Sequence, residues 1–142
     1  MESIQIYTDG SCLKPNGASG WACIGILQQS EKIWQLSGGS KSSTNNRMEL
    51  TAVIEALEFF CKYKKYVVYS DSLYVIKGIK EWIKKWRVNN WKDVKNPDLW
   101  QRLDSCVRDK NIEWIWVKAH NGNKYNEFVD FIAKKESKKN LN

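Results

Sequence analysis

The sequence predicts an α/β fold, a mixed five-stranded sheet flanked by helices. Two observations predict it. Three strand-like segments follow one another at the N-terminal end, and the rest of the chain alternates between helical and strand periodicity. A run of strands followed by helix–strand alternation layers helices onto a mixed sheet. The length of 142 residues suits a single domain spanning 1–142 with one sizeable core.

The elements follow in order. Residues 3–9 set Ile4, Ile6 and Thr8 against Gln5, Tyr7 and Asp9, the two-residue period of a strand. Residues 10–20, with Pro15-Asn16-Gly17 inside them, read as turn-rich. Residues 21–28 and 31–37 read as a second and third strand, joined by a tight polar turn near Gln29-Ser30. Residues 44–62 carry Leu50, Val53, Ile54, Leu57 and Cys61 at helical spacing behind the capping groups of Thr44, Asn45 and Asn46, which puts Glu49 in the first turn. Residues 65–70 read as a fourth strand, and 72–88 as a helix in two pieces around Lys80-Glu81. A helix over 98–109, a strand over 112–117 and a helix over 125–136 with Phe128, Val129 and Ile132 complete the set. Beyond about residue 136 the lysines at 134, 135, 138 and 139 surround few apolar residues, and the tail reads as ragged.

Composition narrows the class. A hydrophobic fraction of 42% with 27% charged residues belongs to a globular chain rather than a disordered one. No apolar run approaches the ~18–20 residues that span a bilayer, and no signal-peptide pattern opens the chain. Cys12, Cys23, Cys61 and Cys106 form no C-x-x-C pair, and the sole histidine cannot complete a zinc set. They read as reduced thiols in an intracellular, cytoplasmic protein. Nothing in the pattern suggests an exposed apolar interface, so a monomer is expected. The net charge of +7 favours a polyanionic partner.

Four carboxylates stand where segments meet turns or helices. Asp9 ends an alternating strand, Glu49 opens a helix, Asp71 follows Val67-Val68-Tyr69-Ser70, and Asp130 comes ten residues after His120. Singly, each reads as a surface acid or a helix cap. If the first and fourth strands are neighbours, Asp9 and Asp71 meet, and the helices bring in Glu49 and Asp130. Carboxylates gathered in this way cannot all stay ionised near neutral pH unless a cation sits among them. An all-carboxylate set suits hard, oxygen-loving metals and phosphate chemistry.

A second feature lies at residues 75–92. Ile76, Ile79, Ile83 and Trp86 fall at the spacing of a buried stripe, while Lys77, Lys80 and Lys84 lie on another face with Lys85 and Arg87 nearby. Trp82, Trp86 and Trp91 interleave with these charges. The bland reading is a solvated basic face over core tryptophans. The functional one is a groove in which basic groups neutralise phosphates and indoles pack on sugars.

The motifs TDGS at 8–11, GWACIGIL at 20–27, TNNRMEL at 44–50, YSDS at 69–72, NPDLWQRL at 96–103, WVKAH at 116–120 and NEFVD at 126–130, in that order, resemble type 1 ribonuclease H. The resemblance covers about residues 4–135. It implies a ribonuclease H-like fold and an endonuclease that hydrolyses the RNA strand of RNA–DNA hybrids, leaving 3′-hydroxyl and 5′-phosphate ends. It implies two Mg²⁺ ions, with Mn²⁺ as a substitute: Asp9 bridging both, Asp130 beside the ion that activates water, and Glu49 and Asp71 holding the other. His120 would assist proton transfer or product release. Thr44 and Asn96 would hold a DNA phosphate, and Cys12, Asn16, Asn45 and Asn46 would meet minor-groove edges and 2′-hydroxyls, the groups that distinguish RNA from DNA. Lys84, Lys85, Trp86 and Arg87 fall in the family's basic protrusion, which grips the DNA strand. The chain departs from the pattern at Leu73, where a glutamine is frequent, in the Pro15-Asn16 order, at Ala119 in place of glycine, at Ser42 in place of arginine, and in a shorter protrusion. These bear on affinity rather than on reaction type. Two competing readings are a hybrid-binding module that does not cut and a DNA-cutting nuclease of related fold. The four acids argue against the first, and the Thr-Asn-Asn-Arg segment and the basic protrusion against the second.

Overall fold

The expected five strands are present in the computed structural model, which describes residues 2–141. They are β1 (Ser3–Cys12), β2 (Gly17–Leu27), β3 (Lys32–Ser43), β4 (Lys65–Ser70) and β5 (Ile112–Trp116), in the order β3-β2-β1-β4-β5. β2 is antiparallel to both β1 and β3, while β4 runs parallel to β1 and β5, so the sheet is mixed. The helices are α1 (Asn45–Phe59), α2 (Leu73–Lys77), α3 (Ile83–Val88), α4 (Pro97–Val107) and α5 (Lys124–Lys139), with a π-helical turn, Gly78–Trp82, between α2 and α3.

The period of β1 sorts the core. Ile4 and Ile6 face a cluster with Leu50, Val53 and Leu57 of α1 and Trp100 and Leu103 of α4. Tyr7 faces the opposite side, with Ala22 and Ile24 of β2 and Val129, Ile132 and Ala133 of α5. A strand puts successive side chains on opposite faces, so one alternating segment serves two apolar layers.

Several boundaries differ from the sequence reading, each for a physical reason. The segment expected to turn over 10–20 turns only over 13–16: Ser11 and Cys12 still pair with Gly20 and Ser19, and Asn16 takes a left-handed φ of 60° in the bend. β3 runs on to Ser43 through Ser37-Gly38-Gly39-Ser40-Lys41-Ser42, which has no apolar alternation; its pairing with β2 makes it a strand. α1 begins at Asn45 with Thr44 as its cap, so Glu49 is the fifth helical residue, past the first turn, and it is buried. The break expected near Lys80-Glu81 is the π-helical turn, where the Trp100 ring lies against Gly78 so closely that a Cβ there would stand 2.6 Å from Trp100 Cζ2. The ragged tail expected from about 136 is instead the last turn of α5: Ser137 is fully buried and donates to the Ser11 carbonyl at 3.3 Å. Charge dominates the composition there, but the buried face is made of small residues. Among the described residues no helix is long and apolar enough to cross a membrane. The monomer expectation rested on the lack of an exposed apolar face, yet Ile33, Phe128 and Phe131 are exposed.

Candidate active site

The acids converge because of how β1 is flanked. Parallel pairing sets Thr8 opposite Ser70, so Asp9 and Asp71 follow at the same level of neighbouring strands. Gly10 admits α1 from the other side: a Cβ at Gly10 would lie 2.5 Å from the Glu49 backbone nitrogen. The same glycine donates its N–H to Asp9 Oδ1 at 2.9 Å. Asp9, Glu49 and Asp71 each present a carboxylate oxygen within 4.8 Å of the others. Asp130, from the middle of α5, stands beside Asp9 and Asp71 outside this tight trio and pairs with Lys134 at 3.1 Å.

Burial and mutual repulsion set the electrostatics. Asp9 is 3% exposed, and desolvation, followed by the charge of Asp71 and the bond and charge of Asp130, pushes its carboxyl up to about 8; the Gly10 N–H works the other way. Glu49 is raised well above its ordinary range, first by burial and then by the charges of Asp9 and Asp71. Asp71 is also raised, chiefly by burial, with the Asp9 bond and the His120 charge opposing. Glu49 Oε1 is buried and has no hydrogen-bond partner. An orphaned carboxyl oxygen beside two further carboxyl groups suits a hard divalent cation, whose charge would favour their ionised forms, and the oxygen-only donor set matches Mg²⁺ or Mn²⁺ rather than zinc or copper.

A cavity of about 500 Å³ opens onto these acids, and Cys12, Asn45, Asn46 and His120 line it. His120 sits in the loop after β5 with a φ of 55°. Thr44 and Asn96 do not line that cavity. Arg47 joins them: its backbone N–H donates to Thr44 Oγ1 at 3.2 Å and its Nη1 to Asn96 Oδ1 at 3.2 Å. Asn16 stands farther out, an exposed turn residue whose carbonyl accepts from Ser42 Oγ at 3.1 Å.

The protrusion divides. Lys84 and Lys85 are exposed, as a strand-tracking face requires. Trp86 is partly buried among Trp82, Trp91 and Trp100, with ring centroids at 6.0, 6.4 and 4.9 Å. Arg87 is exposed as well, but its Nε donates to the buried Asp104 at 2.8 Å. The structure therefore does not leave Arg87 beside the two lysines as a free cation.

Sequence reasoning missed three residues at this site. Trp116 donates its indole N–H to the Asp71 carbonyl at 3.1 Å, which ties the His120 loop to the acid. Arg47 makes a bidentate pair with Asp98 at 3.0 and 2.7 Å and so clamps α1 to the start of α4. Tyr74 lines the cavity and carries Asn96 on its hydroxyl. Arg47 and Trp116 lie inside quoted motifs, which is the signal that could have found them. A tyrosine on a short helix gives none.

An acid cluster at the end of two parallel strands, completed by a helix from each face of the sheet, defines the class: a hydrolase of the nuclease type, built around carboxylates that suit divalent cations. The chain belongs to the ribonuclease H family, whose profile, described as RNase H, matches residues 1–138. It is 48% identical to a ribonuclease H of Neorickettsia sennetsu over 96% of this chain and 94% of that one. It is 46% identical to a ribonuclease H of Wolbachia pipientis wMel over 94% of each. Among solved structures, LC9-RNase H1, described as a type 1 RNase H with the type 2 active-site motif, superposes with a TM-score of 0.85 at 26% identity over 99% of this chain and 74% of that one. LC11-RNase H1 in complex with an RNA/DNA hybrid shares the fold, with a TM-score of 0.74 at 19% identity over 98% and 99%. The expected family and fold are borne out, and the chain is a ribonuclease H enzyme.

Proposed function

We propose that this enzyme cleaves the RNA strand of RNA–DNA hybrids, leaving 3′-hydroxyl and 5′-phosphate ends, with two divalent cations, Mg²⁺ by preference and Mn²⁺ as a substitute. The observation that carries the reading is the orphaned, buried Glu49 Oε1 among carboxylates within 4.8 Å of one another. Asp9, Glu49, Asp71 and Asp130 would hold the cations, which when bound would activate a water and stabilise the leaving oxygen of an in-line displacement. A protein that only bound hybrids would gain nothing from these acids, because buried like charges oppose both folding and the approach of phosphate. LC11-RNase H1 has been solved with a hybrid bound, which adds support for the substrate class.

The remaining groups bind and orient. Cys12, Asn45 and Asn46 face the cavity beside the acids, where small polar groups would meet minor-groove edges and 2′-hydroxyls. Asn16 would extend this contact from its turn. Thr44 and Asn96, joined by Arg47, would hold a backbone phosphate of the DNA strand, and Lys84 and Lys85 would track that strand farther along. Trp86 would support the protrusion from within. His120, at the cavity rim, would move a proton or speed product release. We propose an intracellular enzyme acting through a single domain.

End-labelled RNA presented single-stranded, paired with RNA, paired with DNA and as a chimeric strand, each with Mg²⁺ and with EDTA, tests the reading. Cutting confined to the RNA–DNA pair (and the hybrid part of the chimera), dependent on Mg²⁺ and abolished in Asp71→Asn with hybrid binding kept, is the expected result. Cutting of the RNA–RNA duplex at a comparable rate would refute the substrate class, and turnover by Asp71→Asn at high Mg²⁺ would refute the role of that acid.

A further inference from the structure

We propose that Tyr74 is a substrate-binding residue whose hydroxyl donates its own proton to a backbone phosphodiester oxygen of the bound nucleic acid. The proposal rests on the nucleic-acid substrate argued above and adds a contact to it.

Hydrogen-bond accounting points there. The Tyr74 oxygen accepts the Trp100 indole N–H at 2.9 Å and the Asn96 amide N–H at 3.1 Å. Indole nitrogen is a donor only. The Asn96 amide is oriented by Arg47, a pure donor, which takes Oδ1 at 3.2 Å and leaves Nδ2 facing Tyr74. Both lone pairs of the phenol oxygen are thus engaged, and the hydroxyl can act outward only as a donor. Among the described residues no acceptor takes its proton.

The surroundings identify the acceptor. Tyr74 is partly exposed and lines the cavity that holds the four acids. Two accepted N–H bonds polarise the hydroxyl and strengthen it as a donor. Arg47, the adjacent cation, is taken up by Asp98, so the spot attracts through an aimed dipole rather than through net charge. A single O–H beside Asn96 with no acceptor of its own matches one anionic oxygen, the group a nucleic-acid backbone repeats along its length. Asn96 also holds a left-handed φ of 55° with its side chain fixed at both ends by Arg47 and Tyr74. Strain kept in place by such contacts is characteristic of functional positions.

Tyr74→Phe tests this in combination with hybrids carrying a neutral methylphosphonate at successive positions of the DNA strand and, separately, of the RNA strand. Binding is measured in EDTA and cleavage in Mg²⁺, at a temperature where both proteins are folded. With the unmodified hybrid, Tyr74→Phe should weaken binding and raise KM by about tenfold, the usual scale for a hydrogen bond to a charged group, with kcat within about twofold. At one position, the methylphosphonate should cost the wild-type protein about as much and the variant almost nothing; the strand on which it falls identifies the phosphate. The variant also strips the buried Trp100 N–H of its acceptor and will melt lower, but lost stability cannot create coupling at a single phosphate. Additive effects at every position on both strands, or unchanged binding, would overturn the proposal. A wild-type protein that binds no hybrid would instead sink the substrate reading, so the two failures are distinguishable.

Discussion

Asp9, Glu49 and Asp71, the acids proposed to hold the cations, are destabilising in the metal-free protein. For Asp9, whose carboxyl moves from an ordinary 3.8 to about 8, the folded state favours the protonated form. Below the unfolded value both states are protonated and stability is intact; as pH rises through the window from about 4 to about 8, the folded protein must ionise against burial and its neighbours, and stability falls. Glu49 and Asp71 are shifted in the same direction and add to the loss. Urea melts in EDTA should therefore show a lower midpoint at about pH 8 than at about pH 5, and Mg²⁺ should recover part of the loss at the higher pH because it binds only the folded site. A metal-free protein that is more stable at the higher pH would contradict this account. At this scale the acids were legible, because each lies within a short motif. Tyr74 and Arg47 were not, since what they do depends on partners 22 and 51 residues away.

At the scale of elements, close approaches replace periodicity as the information that matters. Gly10 is the gap through which α1 reaches β1. Gly10→Ala should push α1 outward and withdraw Glu49 from Asp9, lowering activity at least tenfold and weakening Mg²⁺ binding by calorimetry; a near-misplaced catalytic group costs on the order of 100-fold. Unchanged Mg²⁺ affinity would show that the helix has room to yield. The end of α5 is equally specific. Ser137 is buried against Ser11, and Asn140 donates to the Glu136 carbonyl at 2.9 Å. Deleting residues from 136 onward should destabilise the protein by about 1–3 kcal/mol in denaturant melts. No change would restore the ragged tail that the lysine-rich composition suggested. The second half of β3, residues 38–43, and this tail escaped the sequence reading for the same reason: serine and glycine carry no hydrophobic signal, and here backbone pairing and tight helix–strand contact do the specifying.

For the whole molecule, the net charge of +7 indicated a polyanionic partner, but its distribution needed the fold. Lys84 and Lys85 lie open, whereas Arg87 is committed to Asp104. Replacing both lysines with alanine should reduce the salt dependence of hybrid binding by roughly 1–2 in the log–log slope with little change in melting. Arg87→Ala should leave that slope nearly unchanged and destabilise the fold by about 1–2 kcal/mol, because buried Asp104 keeps only the longer 3.5 Å contact with Arg108. The reverse pattern would mean that Arg87 leaves Asp104 when nucleic acid arrives. Of the sheet order, only the adjacency of β1 and β4 could be raised from the sequence, as the condition under which Asp9 and Asp71 meet; the placement of β2, β3 and β5 needed the fold.

That adjacency has a consequence for how the molecule comes into being. The acids come from β1, α1, the end of β4 and α5, and no two of them share an element. A ribosome-bound chain that has not yet delivered α5 lacks Asp130 and the layer that covers Tyr7, Ala22 and Ile24. All four acids come together only once α5 has docked on the sheet. On the proposed roles, a chain still lacking α5 should not cleave, and the onset of cleavage would time the completion of folding.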